Sequence, residues 1–307
     1  MDSAYVETVR LLLEIAPHVF RAPCFALKGG TALNLFVQNM PRLSVDIDVV
    51  YSDHKRERAA AMVEIAAQLN AIKNQLAAVG IDAELISTKT GDDVKLLAQR
   101  GKSQVKIEVN FVFRGTVLPV VRRSVVEAAR DLFTTALSVP MLAESELYGS
   151  KLVAALDRQH PRDLFDIRWM YQTSGLTAEI IECFVCYLAG HNRPIHEVLF
   201  SRDLDITLAY ESEFQGMTRE PVLLEDLLSA RECLRRDLSK SLTPNQRQFL
   251  LSLVGGEPAW ELMTCPHLAE MPAVRWKLQN LEKLKKANKA KFRQQTDELR
   301  EHFGKGA

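Results

Sequence analysis

The stretch "LKGGTALNLFVQNMPRLSVDIDVVY", Leu27 to Tyr51, decides how the chain is read. Two glycines stand ahead of a short apolar segment. Two aspartates, Asp46 and Asp48, then fall in a run whose other members are Val45, Ile47, Val49 and Val50. Ionised carboxylates are costly to bury unless something pairs with them. Side chains alternate faces along a strand. In a strand over Ser44–Tyr51, Ser44, Asp46 and Asp48 therefore share one face and Val45, Ile47 and Val49 the other. The apolar face suits a core, whereas the acidic face needs a cation.

A later segment repeats this design. In "VKIEVNFVF", Val105, Ile107, Val109, Phe111 and Phe113 line one face, and Lys106, Glu108 and Asn110 the other. If the two strands are neighbours, Glu108 sits beside Asp46 and Asp48. Carboxylates that close repel or take up protons. A divalent cation removes the penalty, and hard oxygen ligands suit Mg²⁺, with Mn²⁺ the alternative. Such ions are usually held by a few carboxylates plus substrate phosphates. Gly29, Gly30 and Thr31 fit this chemistry, because glycines let a phosphate approach the backbone and Thr31 adds a hydroxyl. Each element alone also reads as a turn with a cap; the set points to phosphate handling. Lys28 either touches phosphate or ends a strand. Arg42 either reaches a phosphate or carboxylate or closes a loop salt bridge.

The surrounding pattern is mixed. "CFAL" reads as a strand, Gly29 and Gly30 as a tight turn, and Thr31–Asn39 as a short helix that Pro41 ends. Residues 3–16 and 55–79 have helical periodicity, with Gly80 as a C-cap. Residues 81–88 and 104–113 read as strands, and the pattern is helical from about Pro140 onward. The expectation is an α+β chain. Residues 1–135 form a catalytic domain of mixed sheet and helices. Residues 136–307 form a mostly helical domain, with the boundary in "DLFTTALSVPMLAES".

Length allows one large domain or two ordinary ones in 307 residues. No apolar run is long enough to span a membrane, and the N-terminus lacks a signal-peptide pattern. A cytoplasmic location is therefore expected, with no membrane partner. Five scattered cysteines make no disulfide framework. Cys183 and Cys186 would bind zinc only if His191 and His196 converged on them. In the apolar stretch "IIECFVCYLAG" they read better as small hydrophobes. Net charge is zero but segregated: Arg275 to Ala307 holds ten Lys/Arg and four Asp/Glu, a net of +6. That segment fits an acidic partner such as nucleic acid, and fits a solvated helix face equally well.

These motifs resemble nucleotidyltransferases with a polymerase-β-like core, in which a glycine turn-helix leads to a DxD strand and a third acid comes from a later strand. More narrowly, "LKGGTALNLF…RLSVDIDVVY" resembles the AbiEii/AbiGii family, toxin components of abortive-infection toxin–antitoxin systems related to the mycobacterial MenT toxins. A second block, "ELYGSKLVAALDRQHPRDLFDI" (residues 146–167), is similar to the family's lysine and aspartate segment and places Lys151 and Asp166 there. On its own this block reads as a capped helix hairpin. Pro161 starts the second helix, Asp163 lies in its first turn, and Arg162 and Asp166 are spaced to pair. The tail "GEPAWELM…MPAVRWKLQNLEKL" is similar to the family's C-terminal helices.

The resemblance implies an NTP-dependent nucleotidyltransferase. Asp46 and Asp48 would bind Mg²⁺, with Glu108 as a third ligand or as base. Gly29, Gly30, Thr31, Ser44 and Arg42 would hold phosphates. Lys151 would neutralise the leaving pyrophosphate, and Asp166 would orient Lys151 or the acceptor hydroxyl. The implied acceptor is RNA, with the tRNA 3′ end favoured, and the implied partner is a cognate antitoxin. One alternative is the same chemistry on a protein or small molecule. The other is a non-catalytic nucleotide-binding protein, which has no need of three clustered carboxylates.

Overall fold

A computed structural model describes residues 1–87 and 94–305. The chain divides into two compact units, Met1–Leu147 with Phe214–Pro221, and Tyr148–Glu213 with Val222–Ala307.

In the first unit the order is α1 (Ser3–Val19), β1 (Phe25–Lys28), α2 (Gly29–Ala32), β2 (Asp46–Tyr51), α3 (Arg58–Ala78), β3 (Asp82–Ser87), β4 (Val94–Arg100), β5 (Ser103–Asn110), β6 (Val121–Ser124), α4 (Glu127–Phe133) and β7 (Ser138–Met141). The strands form one mixed sheet in the order β3-β4-β5-β2-β1-β7-β6. β2 lies at its centre, antiparallel to β1 and parallel to β5. The alternation read in β2 and β5 is realised. Ile47, Val49, Val105, Ile107 and Val109 are buried, while Asp46, Asp48, Lys106 and Glu108 are half-exposed. Helices α1 and α3 pack on the sheet and on each other. They bury Val9, Leu12 and Ile15, and Ile65, Leu69, Ile72 and Leu76.

Local departures from the expected boundaries have physical causes. The helix expected over Thr31–Asn39 begins at Gly29 and widens into a π-turn over Leu33–Val37, closed by the Gln38 N–H on the Leu33 carbonyl at 2.7 Å. β2 begins at Asp46 rather than Ser44, and just ahead of it the Leu43 N–H donates to the Met217 carbonyl at 2.8 Å. β5 stops at Asn110, whose side-chain oxygen accepts the N–H groups of Val112 and Phe113 and turns the chain. Phe111 and Phe113 are buried past that turn. β4, β6 and β7 have no counterpart in the sequence expectation. Each is short or flanked by glycine or proline, which blurs period-two alternation. The expected strand over 81–88 is β3, and its last residue lies outside the described ones.

The remaining helices are α5 (Glu144–Asp157), α6 (Pro161–Thr173), α7 (Ala178–Ala189), α8 (Ile195–Leu199), α9 (Thr207–Glu213), α10 (Leu224–Ser241), α11 (Pro244–Val254), α12 (Pro272–Ala287) and α13 (Lys289–Lys305). Within the second unit α7 is buried from Ile180 to Ala189 except for Glu182, and it packs on α10 and α11. The conditional zinc site does not form. Cys183 and Cys186 are fully buried, His191 pairs with Asp157 at 3.4 Å, and His196 pairs with Glu298 at 2.7 Å. Among the described residues, no helix is long and apolar enough to cross a membrane.

Candidate active site

Sheet register places the acidic residues in rows. Lys28 on β1 is the partner of Asp48 on β2, Asp48 of Glu108 on β5, and Glu108 of Lys95 on β4. Asp46 is the partner of Lys106. Directly opposed side chains on one face have Cβ atoms about 4.5–5.5 Å apart. Two adjacent carboxylates would repel, but this row ends in a lysine on each side. Lys95 Nζ donates to Glu108 Oε1 at 2.9 Å, and Lys106 Nζ lies 3.4 Å from the same oxygen. Burial works to raise the Glu108 carboxyl. The hydrogen bond and charge of Lys95, with the charge of Lys106, outweigh burial and hold it below the usual carboxylate range.

The glycine turn stands against this row. Gly29 has φ +75°, and a Cβ added there would lie 2.3 Å from Asp48 Oδ2. A Cβ on Gly30 would lie 2.8 Å from an Arg42 guanidinium nitrogen and 3.0 Å from Ser44 Oγ. Both glycines are therefore set by close approach, Gly29 also by its left-handed backbone. The Thr31 hydroxyl donates to the Asp46 carbonyl and lies 3.0 Å from Ser44 Oγ. Arg42 is almost fully buried, and one of its guanidinium nitrogens donates to the Leu43 carbonyl at 2.9 Å. Gly29, Gly30, Thr31, Arg42, Ser44, Asp46, Asp48 and Glu108 thus gather around the start of β2. Lys95 joins them, and no sequence pattern marks it, because its place depends on β4 pairing with β5.

In the second unit Lys151 is the centre of a buried ion cluster. Its Nζ lies 2.9 Å from Asp163 Oδ1 and 3.1 Å from Asp166 Oδ2. Arg158 donates to both oxygens of Asp163 at 2.8 and 3.1 Å. Lys151, Asp163 and Asp166 are 6%, 2% and 0% exposed. The expected Arg162–Asp166 pair does not form. Asp166 turns inward to Lys151, while Arg162 lies 3.9 Å from Glu213. Asp163 is the member that sequence reading assigned only to a helix first turn. The available signal was its spacing of three from Asp166, which puts both carboxylates on one face.

Among the described residues, no group of three or more His, Cys, Asp or Glu side chains gathers as a metal site. Asp46 and Asp48 still supply hard oxygen donors two residues apart on one strand face, the donor chemistry a Mg²⁺ ion takes. Glu108, in register with Asp48, has its carboxylate on Lys95 and Lys106.

Residues 10–280 match the family model described as nucleotidyl transferase AbiEii toxin, type IV toxin–antitoxin system. The chain belongs to the AbiEii family. It is accordingly a nucleotidyltransferase toxin of a type IV toxin–antitoxin system, with an NTP substrate and an antitoxin partner. The AbiEii fold is also similar to the solved MenT4 nucleotidyltransferase toxin of Mycobacterium tuberculosis H37Rv. The TM-score is 0.56 at 16% identity, covering 88% of this chain and 92% of that one. No curated protein sequence matches this AbiEii chain.

Proposed function

We propose that this AbiEii enzyme transfers the nucleoside monophosphate of an NTP to a hydroxyl of RNA, at the tRNA 3′ end, with Mg²⁺ held by Asp46 and Asp48. The observation that carries this reading is the packing of the Gly29 backbone against the Asp48 carboxylate. It puts the backbone that a phosphate can approach beside the oxygens that a divalent ion needs. When bound, Mg²⁺ offsets triphosphate charge and lowers the pKa of an attacking hydroxyl.

The chain's own residues divide the remaining work. Gly29 lets the Asp48 carboxylate, and Gly30 the Arg42 and Ser44 side chains, close on the turn, and Thr31, Ser44 and Arg42 supply the donors for phosphate there. Glu108 stays ionised because Lys95 and Lys106 hold its pKa down. A depressed pKa suits a metal ligand better than a general base, whose pKa works best near the operating pH. Within the second unit, Asp163 and Asp166 hold the ammonium of Lys151 in place. Residues 1–135 act as the catalytic domain. The helical domain expected over 136–307 corresponds to the second unit, Tyr148–Glu213 with Val222–Ala307, since β7 and Phe214–Pro221 belong to the first; it carries the lysine–aspartate motif and selects the acceptor.

The test is transfer of label from each of the four α-³²P NTPs to total bacterial RNA with Mg²⁺, for wild type and Asp48→Asn. Label in the tRNA band, lost in the variant, is the expected result. Labelled protein or small molecule without labelled RNA would overturn the choice of acceptor.

A further inference from the structure

The corner between α12 and α13 carries the densest positive charge in the chain. From Lys283 to Arg293 the sequence is "KLKKANKAKFR", with six cations and no acid in eleven residues. It lies beyond residue 280, where the family match ends. Lys283, Lys285, Lys289, Lys291 and Arg293 are all exposed. Lys286 is paired with Glu282 at 2.6 Å. Among the described residues, Lys289, Lys291 and Arg293 have no ion pair.

Two features separate this corner from an ordinary solvated helix. First, α13 opens with Lys289 and Lys291 and has no acid in its first turn. Cations there oppose the helix dipole, so the arrangement works against local stability. The C-terminus of α12, with Lys285 and Lys286 in its last turn, meets the start of α13 there, so the positive surplus at the corner is that of the side chains. Second, Trp276 is 47% exposed on α12, with Lys283 Nζ 5.5 Å from its ring centre. A half-exposed aromatic ring beside clustered cations is what a base and its phosphate need together.

We infer that the α12–α13 corner is the docking surface for the RNA acceptor's phosphate backbone. Lys283, Lys285, Lys289, Lys291 and Arg293 meet phosphates, and Trp276 stacks on an unpaired base. The inference rests on the RNA reading of the acceptor proposed above. Phosphate contacts of this kind fix affinity and position without reading sequence. The corner therefore sets acceptor KM and its salt dependence and leaves NTP binding alone.

The test uses the full chain and a Lys289→Gln/Lys291→Gln/Arg293→Gln variant, none of whose altered side chains is in the core. Binding of fluorescent total tRNA is followed by anisotropy from 50 to 200 mM salt. Circular dichroism and NTP binding confirm folding and an intact nucleotide site. Tryptophan 276 is tested separately as Trp276→Ala. The expected result is about tenfold weaker tRNA binding by the triple variant at low salt. The log–log salt slope falls by about two, at roughly 0.7–0.9 per lost phosphate contact. KM for tRNA rises in step while kcat holds. Unchanged tRNA affinity and slope in the triple variant would overturn the inference. So would binding of vesicles containing 30% phosphatidylglycerol through these residues while tRNA does not bind. If tRNA binds at the corner but accepts no label, the transfer reading fails and the docking surface stands. If label transfer at tRNA concentrations well below KM proceeds equally in the variant, the docking surface fails and the transfer reading stands.

Discussion

At the scale of single residues, Gly29 carries two constraints. Its φ of +75° lies in the left-handed region, where an L side chain costs roughly 1–2 kcal/mol. A Cβ would also stand 2.3 Å from Asp48 Oδ2, so the carboxylate must move. Gly30 differs, since its Cβ would meet only the tip of Arg42 and the Ser44 hydroxyl. Gly29→Ala is therefore expected to lower stability by about 1–2 kcal/mol in urea and to abolish label transfer, with Gly30→Ala milder in stability. A Gly29→Ala protein as stable and active as wild type would refute the close approach. The glycine pair and the DxD strand were legible because each is a local pattern. Lys95 was not, because the register that brings it to Glu108 is set by strand pairing between distant segments.

At the scale of elements, the α5–α6 hairpin was legible from Pro161 at a helix start and from helical periodicity. Its internal pairing was not. Spacing offers Asp166 to Arg162, but Asp166 is wholly buried and Lys151 reaches it there. Burial alone would raise the Asp163 carboxyl. The charges of Lys151 and Arg158 and their hydrogen bonds outweigh burial and hold it well below the usual carboxylate range. With the folded pKa below the unfolded one, the unfolded chain takes the proton first as pH falls. The stability from this group is complete above its ordinary pKa of about 4 and drains away below it. Thermal midpoints are expected to drop steeply from pH 5 to pH 3. Asp163→Asn leaves Lys151 short of one partner and should cost about 3–5 kcal/mol at pH 7. Its acid limb should also be shallower, which circular dichroism melts across that range would measure. Equal acid limbs in the two proteins would mean that Asp163 is not the titrating group.

At the scale of the whole molecule, the mixed sheet and helical remainder could be read from periodicity, whereas the return of the chain to its first unit could not. Residues 214–221 belong to that unit, yet nothing local in "FQGMTREP" signals a partner in sequence far upstream. Backbone bonds make the tie. The Leu43 N–H donates to Met217 at 2.8 Å, Arg219 to Pro41 at 2.9 Å, and Asp2 to Gly216 at 2.9 Å. Arg42 bridges Thr218, and Phe214 and Met217 are each 1% exposed. The segment thus braces the short stretch that carries Arg42 toward Gly30. Truncating a buried aromatic costs about 3–5 kcal/mol, and the loss here would loosen Arg42 as well. Phe214→Ala is expected to lower the melting temperature and weaken NTP binding in calorimetry. Phe214→Leu, which keeps most of the apolar volume, should recover much of both. Weakened NTP binding in Phe214→Ala with an unchanged melting temperature would contradict a bracing role. So would a lowered melting temperature with NTP affinity intact, since the brace and the position of Arg42 would then be independent.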